Sequence, residues 1–423
     1  MTDRVMTDRV MTGRAMTDRA MTGRANCGPL AGLRVLDFSR VIAGPFCTMQ
    51  LADLGAEIIK VEHPKTGDDT RAWRPPEAGG ESYFYLAMNR SKRGIALDIA
   101  SDAGRAIARA LAAQSDVVIE NFRPGVMGKM GLDYDTLKAE NPRLIYCSVS
   151  AYGQTGPMAD RPGFDPVLQA ELGWMAMNGE PDGAPLRAPV AVIDTFTALY
   201  AATSILAAVI ARGTTGQGQF IELSLMGVGL ATLAAQAQYA LISGEDMPRT
   251  GNNHPVAVPV GLFPTQGGPI YASLANDKLF ETFCRDVLRE PALVADPRFA
   301  TNAARGRNAK AIYDHIGQAL SKLGRDEVLM RSRKAGMPVG AVRALSEALD
   351  APEIKAAGLI TTVDHPTAGR LRMVGSPIRL SDTPIQPALP PPRLGEHTDA
   401  VLAEILGFDA AKLNALRQGG VIA

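Results

Sequence analysis

The chain has 423 residues, 46% apolar, 21% charged and 5% aromatic, with 44 lysines and arginines against 44 aspartates and glutamates. This length predicts two to three domains, and the composition excludes a collagen-like, fibrous or low-complexity polymer. A formal charge of zero, without a basic stripe or a basic amphipathic helix, argues against nucleic acid or a membrane surface as partner.

Residues 1–25 are five copies of a pentad, MTDRV MTDRV MTGRA MTDRA MTGRA, carrying five Arg and three Asp; the remaining 39 basic and 41 acidic residues leave a charge of −2. A five-residue period matches neither helix nor strand, and no bulky apolar face offsets the ordering entropy, so a disordered tail is expected. The segment lacks the apolar run of a signal peptide, and its Asp residues count against a transit peptide. Cys27, Cys47, Cys147 and Cys284 form no CxxC pair, and His63, His254, His315, His365 and His397 show no HxxxH or HExxH spacing. Neither a disulfide framework nor a metal centre is expected, and the cytoplasm is the natural compartment.

From Gly32 onward, β-branched runs alternate with helical patterns. Strands are predicted over 33–39 (LRVLDFS), 57–63 (EIIKVEH), 94–99 (GIALDI), 116–122 (DVVIENF) and 144–153 (LIYCSVSAYG). Helices are expected in FCTMQLADLG, in DAGRAIARALAAQ with Ser101 as its cap, and in LDYDTLKAENPR. This alternation implies a mostly parallel sheet covered on both faces, with ligands at the carboxyl ends of the strands after Phe38, Glu62, Ile119 and Val149. Residues 195–211 are apolar throughout; at the lower limit for a membrane span and flanked by Asp194 and Arg212, they are expected to form a buried core helix. A strand at 218–226 then leads into a second apolar helix, VGLATLAAQAQYALIS. Residues 244–270 are rich in Gly, Pro and Asn, and 271–345 read as a second domain of amphipathic helices with a short strand, IYASL. PIQPALPPP (384–392) reads as a semi-rigid connector before a final helical segment.

No GxGxxG follows the first strand, and neither GxxxxGK[ST] nor GxSxG occurs. This disfavours a nicotinamide dehydrogenase and a P-loop enzyme and leaves carboxylate chemistry as the candidate. Asp194 ends a short apolar, strand-like run and begins the long helix, where N–H groups and the helix dipole are expected to keep its carboxylate ionised and aimed. From spacing alone a simple helix cap is the favoured reading.

The ordered segments PLAGLRVLDFSRVIAGPFCTMQLADLGAEIIKVEHPKTGDDTR, NRSKRGIALDI, DVVIENFRPGVMGKMGLDY, NPRLIYCSVSAYGQTGP, RPGFDPVLQA, TTGQGQFIELSLM and LGEHTDAVL resemble the class III coenzyme A transferases, from Gly28 to Leu413. That family includes formyl-CoA transferase, carnitine CoA-transferase and 2-methylacyl-CoA racemase. The resemblance implies an α/β fold: a large domain with a doubly wound, mostly parallel sheet and a smaller α+β domain, in a homodimer whose chains interlock. It implies a Rossmann-like CoA-binding domain over 26–225, a small domain over 226–345, and a return to the large domain with C-terminal helices over 346–423.

By resemblance Asp194 is the catalytic carboxylate, attacking an acyl-CoA thioester to give an aspartyl anhydride and then an aspartyl-CoA thioester. CoA is implied as substrate, with no permanently bound cofactor, and the partners are an acyl-CoA and a carboxylic acid. Val41, Ile42, Ala43 and Gly44 would line the pantetheine arm, and Leu97 and Ile99 would flank the adenine. Asn121, Phe122 and Arg123 would contact the head group and arm, and Lys129 a phosphate. His63 and Arg71 are further candidates for basic contacts.

Asp165, in RPGFD, corresponds to the acid of the racemases' His-Asp pair, but Phe164 occupies the histidine position and carries no proton. A structural role is expected for Asp165. The segment 251–261, GNNHPVAVPVG, lacks the glycine run of formyl-CoA and oxalate members. A larger acid is therefore expected, a dicarboxylate with succinyl-CoA as donor, and Asn253 and His254 are candidates to touch it. The rival readings are a 2-methylacyl-CoA racemase-type isomerase and a CoA-binding protein without turnover.

Overall fold

The structure is a computed structural model and describes residues 28–423; the pentad segment and Cys27 lie outside the described residues. The β-branched runs form one sheet: β1 (Arg34–Asp37), β2 (Glu57–Glu62), β3 (Arg93–Ala96), β4 (Val117–Glu120), β5 (Ile145–Ser150) and β6 (Phe220–Ser224). Every pairing is parallel, in the order β3-β2-β1-β4-β5-β6. Growth runs outward from β1 to β3 and restarts on the other side of β1 with β4. The loops after β1 and β4 therefore part at the carboxyl edge, where open parallel sheets hold their ligands.

The helices of this half are α1 (Ala43–Asp53), α2 (Asp102–Ala113), α3 (Tyr134–Glu140), α4 (Asp165–Glu171) and α5 (Val192–Thr215). Successive strand residues serve opposite faces of the sheet. Val35, Ile58, Val117 and Ile145 pack with Cys47 and Leu51 of α1 and with Ala198, Ala201 and Ile205 of α5. Leu36, Ile59, Ile95 and Val118 pack with Ile107 and Leu111 of α2. Alanines let α5 lie close to α1, and a larger side chain at Ala201 would cost ~1–3 kcal/mol by overpacking. Ser101 caps α2 as expected, its Oγ accepting the Gly104 N–H at 3.0 Å. A Cβ at Gly104 would stand 1.9 Å from the Asp98 carbonyl oxygen, so only glycine fits this turn.

Three elements depart from the sequence reading. Beyond Ala96 the third strand leaves the sheet, because Asp98 N–H donates to the C-terminal Val421 carbonyl at 2.8 Å. The run before Asp194 is no strand, and α5 starts at Val192, so Asp194 lies inside its first turn. The second apolar helix is broken into α6 (Leu225–Ala231) and α7 (Ala234–Ser243), bent by 75°. Gly229 of α6 fits against Leu172 and Ile193, which holds that half to the large unit, whereas no residue of α7 is buried.

A second core gathers around an antiparallel sheet of β7 (Val260–Phe263), β8 (Ile270–Ser273) and β9 (Val339–Ala341), with β8 in the centre. Phe263, Ile270 and Phe283 pack there with Ile312 and Ile316 of α8 (Ala309–Leu320) and Val328 of α9 (Arg325–Lys334). A hairpin of β10 (Ile360–His365) and β11 (Gly369–Val374) follows. The proline-rich connector then runs back along the large unit, Gln386 N–H donating to Asp53 O at 2.9 Å and Leu389 N–H to Ser91 Oγ at 3.0 Å. It delivers α10 (Thr398–Leu406) and α11 (Ala410–Gln418), whose Val401, Leu402 and Leu413 complete the α2 face of the sheet.

Candidate active site

The loop after β1 is held from below by buried charge. Lys60 Nζ lies 2.9 Å from Asp68 Oδ2, with both side chains fully buried, and also donates to Ser39 O at 3.0 Å. Burial disfavours the charge of Asp68, but Lys60 and the Thr70 N–H outweigh it and hold the carboxyl well below its usual range. Both Asp68 oxygens receive the Val41 N–H at 3.3 Å. Val41 has φ 70°, a left-handed conformation that β-branched residues rarely adopt and that persists only when its surroundings enforce it. Beside this pair, Lys92 Nζ donates to Pro45 O and Asn89 Oδ1, both at 2.9 Å, and stands 3.4 Å from Asp37. Burial brings the Lys92 ammonium down to about 8, against the opposing pull of Asp37.

From the β4 side, Asn121 locks the same loop in both directions: its Oδ1 accepts the Arg40 N–H and its Nδ2 donates to Arg40 O, each at 2.8 Å. Two clefts open around this junction. One, about 250 Å³, is lined by Val41, Ile42, Ala43, Asn121, Phe122, Arg123 and Asp194, with Phe164 at its side. The other, about 300 Å³, is lined by His63, Leu97 and Ile99. Arg40 and Phe122 belong to both, with the Arg40 guanidinium 5.1 Å above the Phe122 ring.

Two expected contacts fall elsewhere. Arg71 lines neither cleft: it grips Glu62 with two nitrogens at 2.7 and 2.8 Å, reaches Glu81 at 2.9 Å and Pro392 O at 3.1 Å, and stacks on Tyr85. It clamps β2 to the returning connector, leaving its guanidinium engaged by protein. Lys129 is exposed at the end of a short helix and lines neither cleft. Asn253 and His254 are also absent from the cleft that holds Asp194; His254 Nδ1 accepts the N–H groups of Val256 and Ala257 and shapes its own loop.

At Asp194 the arrangement corrects the expectation from helix ends. The donors at the start of α5 serve Asp165, whose Oδ2 receives the N–H of Ile193 at 2.7 Å and of Asp194 at 3.2 Å. Gln169 Nε2 donates to Asp165 Oδ1 at 2.5 Å, while Gln169 Oε1 accepts the Ala188 N–H at 2.8 Å. Among the described residues no hydrogen bond is donated to the Asp194 carboxylate. Partial burial, and next the neighbouring Asp165, raise its pKa from 3.8 to about 7. The dipole expected to depress this group is thus overridden, giving a carboxylate that is basic, open to the cleft and ionised only near and above neutrality.

Sequence reasoning missed the cap made by Asp165, although Asp165-Pro166 marks a helix start, because its partner lies 28 residues on in a helix whose first turn was misplaced. Arg40 and Arg161 were also missed: both line the cleft with Asp194, but nothing local separates them from surface charges.

A sequence profile described as CoA-transferase family III matches residues 30–398. The chain is 38% identical over 397 residues to succinyl-CoA:glutarate CoA-transferase of Homo sapiens, covering 94% of this chain and 90% of that one. It is 41% identical over 383 residues to succinate–glutarate CoA-transferase of Agrobacterium fabrum, covering 89% and 96%. A CAIB/BAIF family protein from Brucella suis superposes with a TM-score of 0.82 at 39% identity, covering 90% of this chain and 100% of that one. The agreement of motif, fold and near full-length similarity shows that this chain belongs to CoA-transferase family III.

Proposed function

We propose that this enzyme moves coenzyme A from succinyl-CoA to a dicarboxylic acid such as glutarate, with Asp194 as the covalent nucleophile. The observation that carries this reading is a basic carboxylate, raised to about 7, lining a cleft that shares Arg40 and Phe122 with a second one. An Asp194 oxygen attacks the thioester carbonyl, and the collapsing adduct expels CoA thiolate to leave a mixed anhydride. The thiolate attacks the Asp194 carbonyl carbon, releasing the donor acid and forming an aspartyl-CoA thioester. The acceptor carboxylate attacks that thioester, and the thiolate then takes the acceptor acyl group, restoring Asp194. No proton is gained or lost overall, and no ATP is needed, because each step exchanges acyl derivatives of similar energy.

The adenine is assigned to the cleft of His63, Leu97 and Ile99, and the pantetheine to the passage along Val41, Ile42 and Ala43. A dianionic acceptor is supported by Arg123, which lines the cleft with Asp194 and makes no ion pair among the described residues, whereas Arg40 and Arg161 there are paired with Asp69 and Glu171. Names of relatives supply glutarate and succinyl-CoA as the acids to test first. The exposed apolar ring of Phe164, 65% accessible where a racemase needs a proton carrier, speaks against the isomerase reading.

The doubly wound sheet, an interlocked homodimer and a cytoplasmic setting complete the proposal. Dimerisation is supported by α7, whose Leu241 and Ile242 are 79% and 78% exposed, and by an open, mainly apolar cavity of about 740 Å³ between α1, β11 and Leu199. Incubating the protein with succinyl-CoA and a panel of acids, with new thioesters read by mass spectrometry, tests the function. Glutaryl-CoA from glutarate is expected; no new thioester from any acid would overturn it.

A further inference from the structure

We propose that Asp165 is a positioning residue for the transfer: it occupies two N–H donors of the first turn of α5, those of Ile193 and Asp194, while the Asp194 carboxylate stays unbonded beside a second carboxylate, so that acylation of Asp194 is favoured. This inference rests on Asp194 being the nucleophile.

An aspartate in the first turn of a helix ordinarily takes a free N–H of that turn and is stabilised as an anion by the dipole. A stabilised anion is a weak nucleophile. Here Asp165 removes that stabilisation by accepting from Ile193 N–H and Asp194 N–H itself. Its contacts with Ile193, Asp194 and Gln169 are all donated to it, as an acceptor-only carboxylate requires. It is 2% exposed and fixed from behind by the fully buried Gln169, so it cannot swing away from Asp194.

The other charges around α5 do not cancel this effect. Arg40 pairs with Asp69 at 3.3 Å and Arg161 with Glu171 at 2.6 Å, while Arg123 lies among the cleft residues on the β4 side. On the packed elements, α1 offers Asp53, which Arg90 neutralises, β6 offers Glu222, which accepts the Gln154 N–H, and α6 carries no charge. Asp165 is the charge that accompanies burial in raising Asp194. The anhydride and the aspartyl-CoA thioester are both uncharged at Asp194, so forming either relieves the repulsion between the two carboxylates. The like-charge pair thus favours the covalent states over free enzyme, an effect that a purely architectural cap would not produce.

Asp165→Asn keeps an oxygen for the N–H groups and removes the charge. Its acidic limb in kcat/KM is expected to move below that of the wild type, as loss of the neighbouring charge lowers the pKa of Asp194. The fraction of enzyme trapped as aspartyl-CoA by hydroxylamine should fall about tenfold for each unit of that shift. A thermal melt checks that the variant is folded. An unmoved limb and an unchanged trapped fraction in folded Asp165→Asn overturn the inference. If that variant does not fold, Asp165→Ser, which also keeps an oxygen and removes the charge, is measured in its place: a lowered limb agrees and an unmoved one refutes. Asp194→Ala separates the two levels, since full turnover by that variant removes the nucleophile reading itself. Loss of turnover in Asp194→Ala, with an unaffected Asp165→Asn, removes only the role of Asp165.

Discussion

Asp68 accepts the Val41 N–H with the same carboxylate that pairs with Lys60 at 2.9 Å, so a fully buried ion pair enforces the left-handed residue at the cleft. Removing one partner strands the other charge. Asp68→Ala is predicted to lower unfolding stability in urea by ~3–5 kcal/mol. The double variant Lys60→Met/Asp68→Leu should recover much of that loss while KM for the acyl-CoA stays raised, because Val41 has lost its acceptor. Equal recovery of stability and KM would contradict this link.

The pH dependence of stability follows from the raised carboxyls. Burial, then Asp165, lifts Asp194 to about 7 from 3.8; burial lifts Glu120 to about 7 from 4.5, against hydrogen bonds from Ser148 and the Phe122 N–H. A folded-state pKa above the unfolded one means that protonation stabilises: the contribution is complete below pH ~4 and is lost as pH rises through 7. Asp194→Asn, neutral throughout, is therefore predicted to be more stable than wild type at pH 8 by ~1–3 kcal/mol, and little different at pH 4. Thermal melts at the two pH values measure this, and a gain of equal size at both would contradict it.

Phe122 and Arg71 separate binding from architecture. Phe122 lies between the two clefts, so Phe122→Ala should raise KM for the acyl-CoA about tenfold, a change of ~1.4 kcal/mol, with little change in melting temperature. Arg71 has its donors on Glu62, Glu81 and Pro392. Arg71→Met should instead destabilise the fold by ~3 kcal/mol, because Glu62 is left buried and unpaired. A rise in KM without loss of stability would return Arg71 to the ligand site.

Ile242 is placed to report assembly. With no residue of α7 buried in its own chain, Ile242→Glu is predicted to convert a dimer into a monomer in sedimentation velocity, with loss of transfer activity. A monomeric wild type would contradict this.

The alternation of strands and helices was legible because each run carries its own local pattern, and Ser101 declared its cap through a three-residue contact. Val41 to Ala43, Phe122 and Leu97, which the resemblance implies for a CoA site, line the two clefts. What remained hidden depends on distant partners. Arg71 reads as a free cation until the fold turns Glu62 and Glu81 onto it and the connector, 321 residues on, adds the Pro392 carbonyl. The charge state of Asp194 depends on Asp165, 29 residues away, and local helix rules predicted the opposite direction. The break before Ala234 divides a half whose Gly229 seats against Leu172 and Ile193 from a half with no buried residue, a tertiary difference invisible in an apolar run.

The most direct test of the account is trapping at Asp194. Wild-type protein incubated with succinyl-CoA, quenched with hydroxylamine and digested should carry a hydroxamate on the peptide containing Asp194, and the same treatment of Asp194→Ala should leave that peptide unmodified with transfer abolished. A wild type that turns over without labelling, or an Asp194→Ala variant that retains full transfer, would contradict covalent catalysis by this residue.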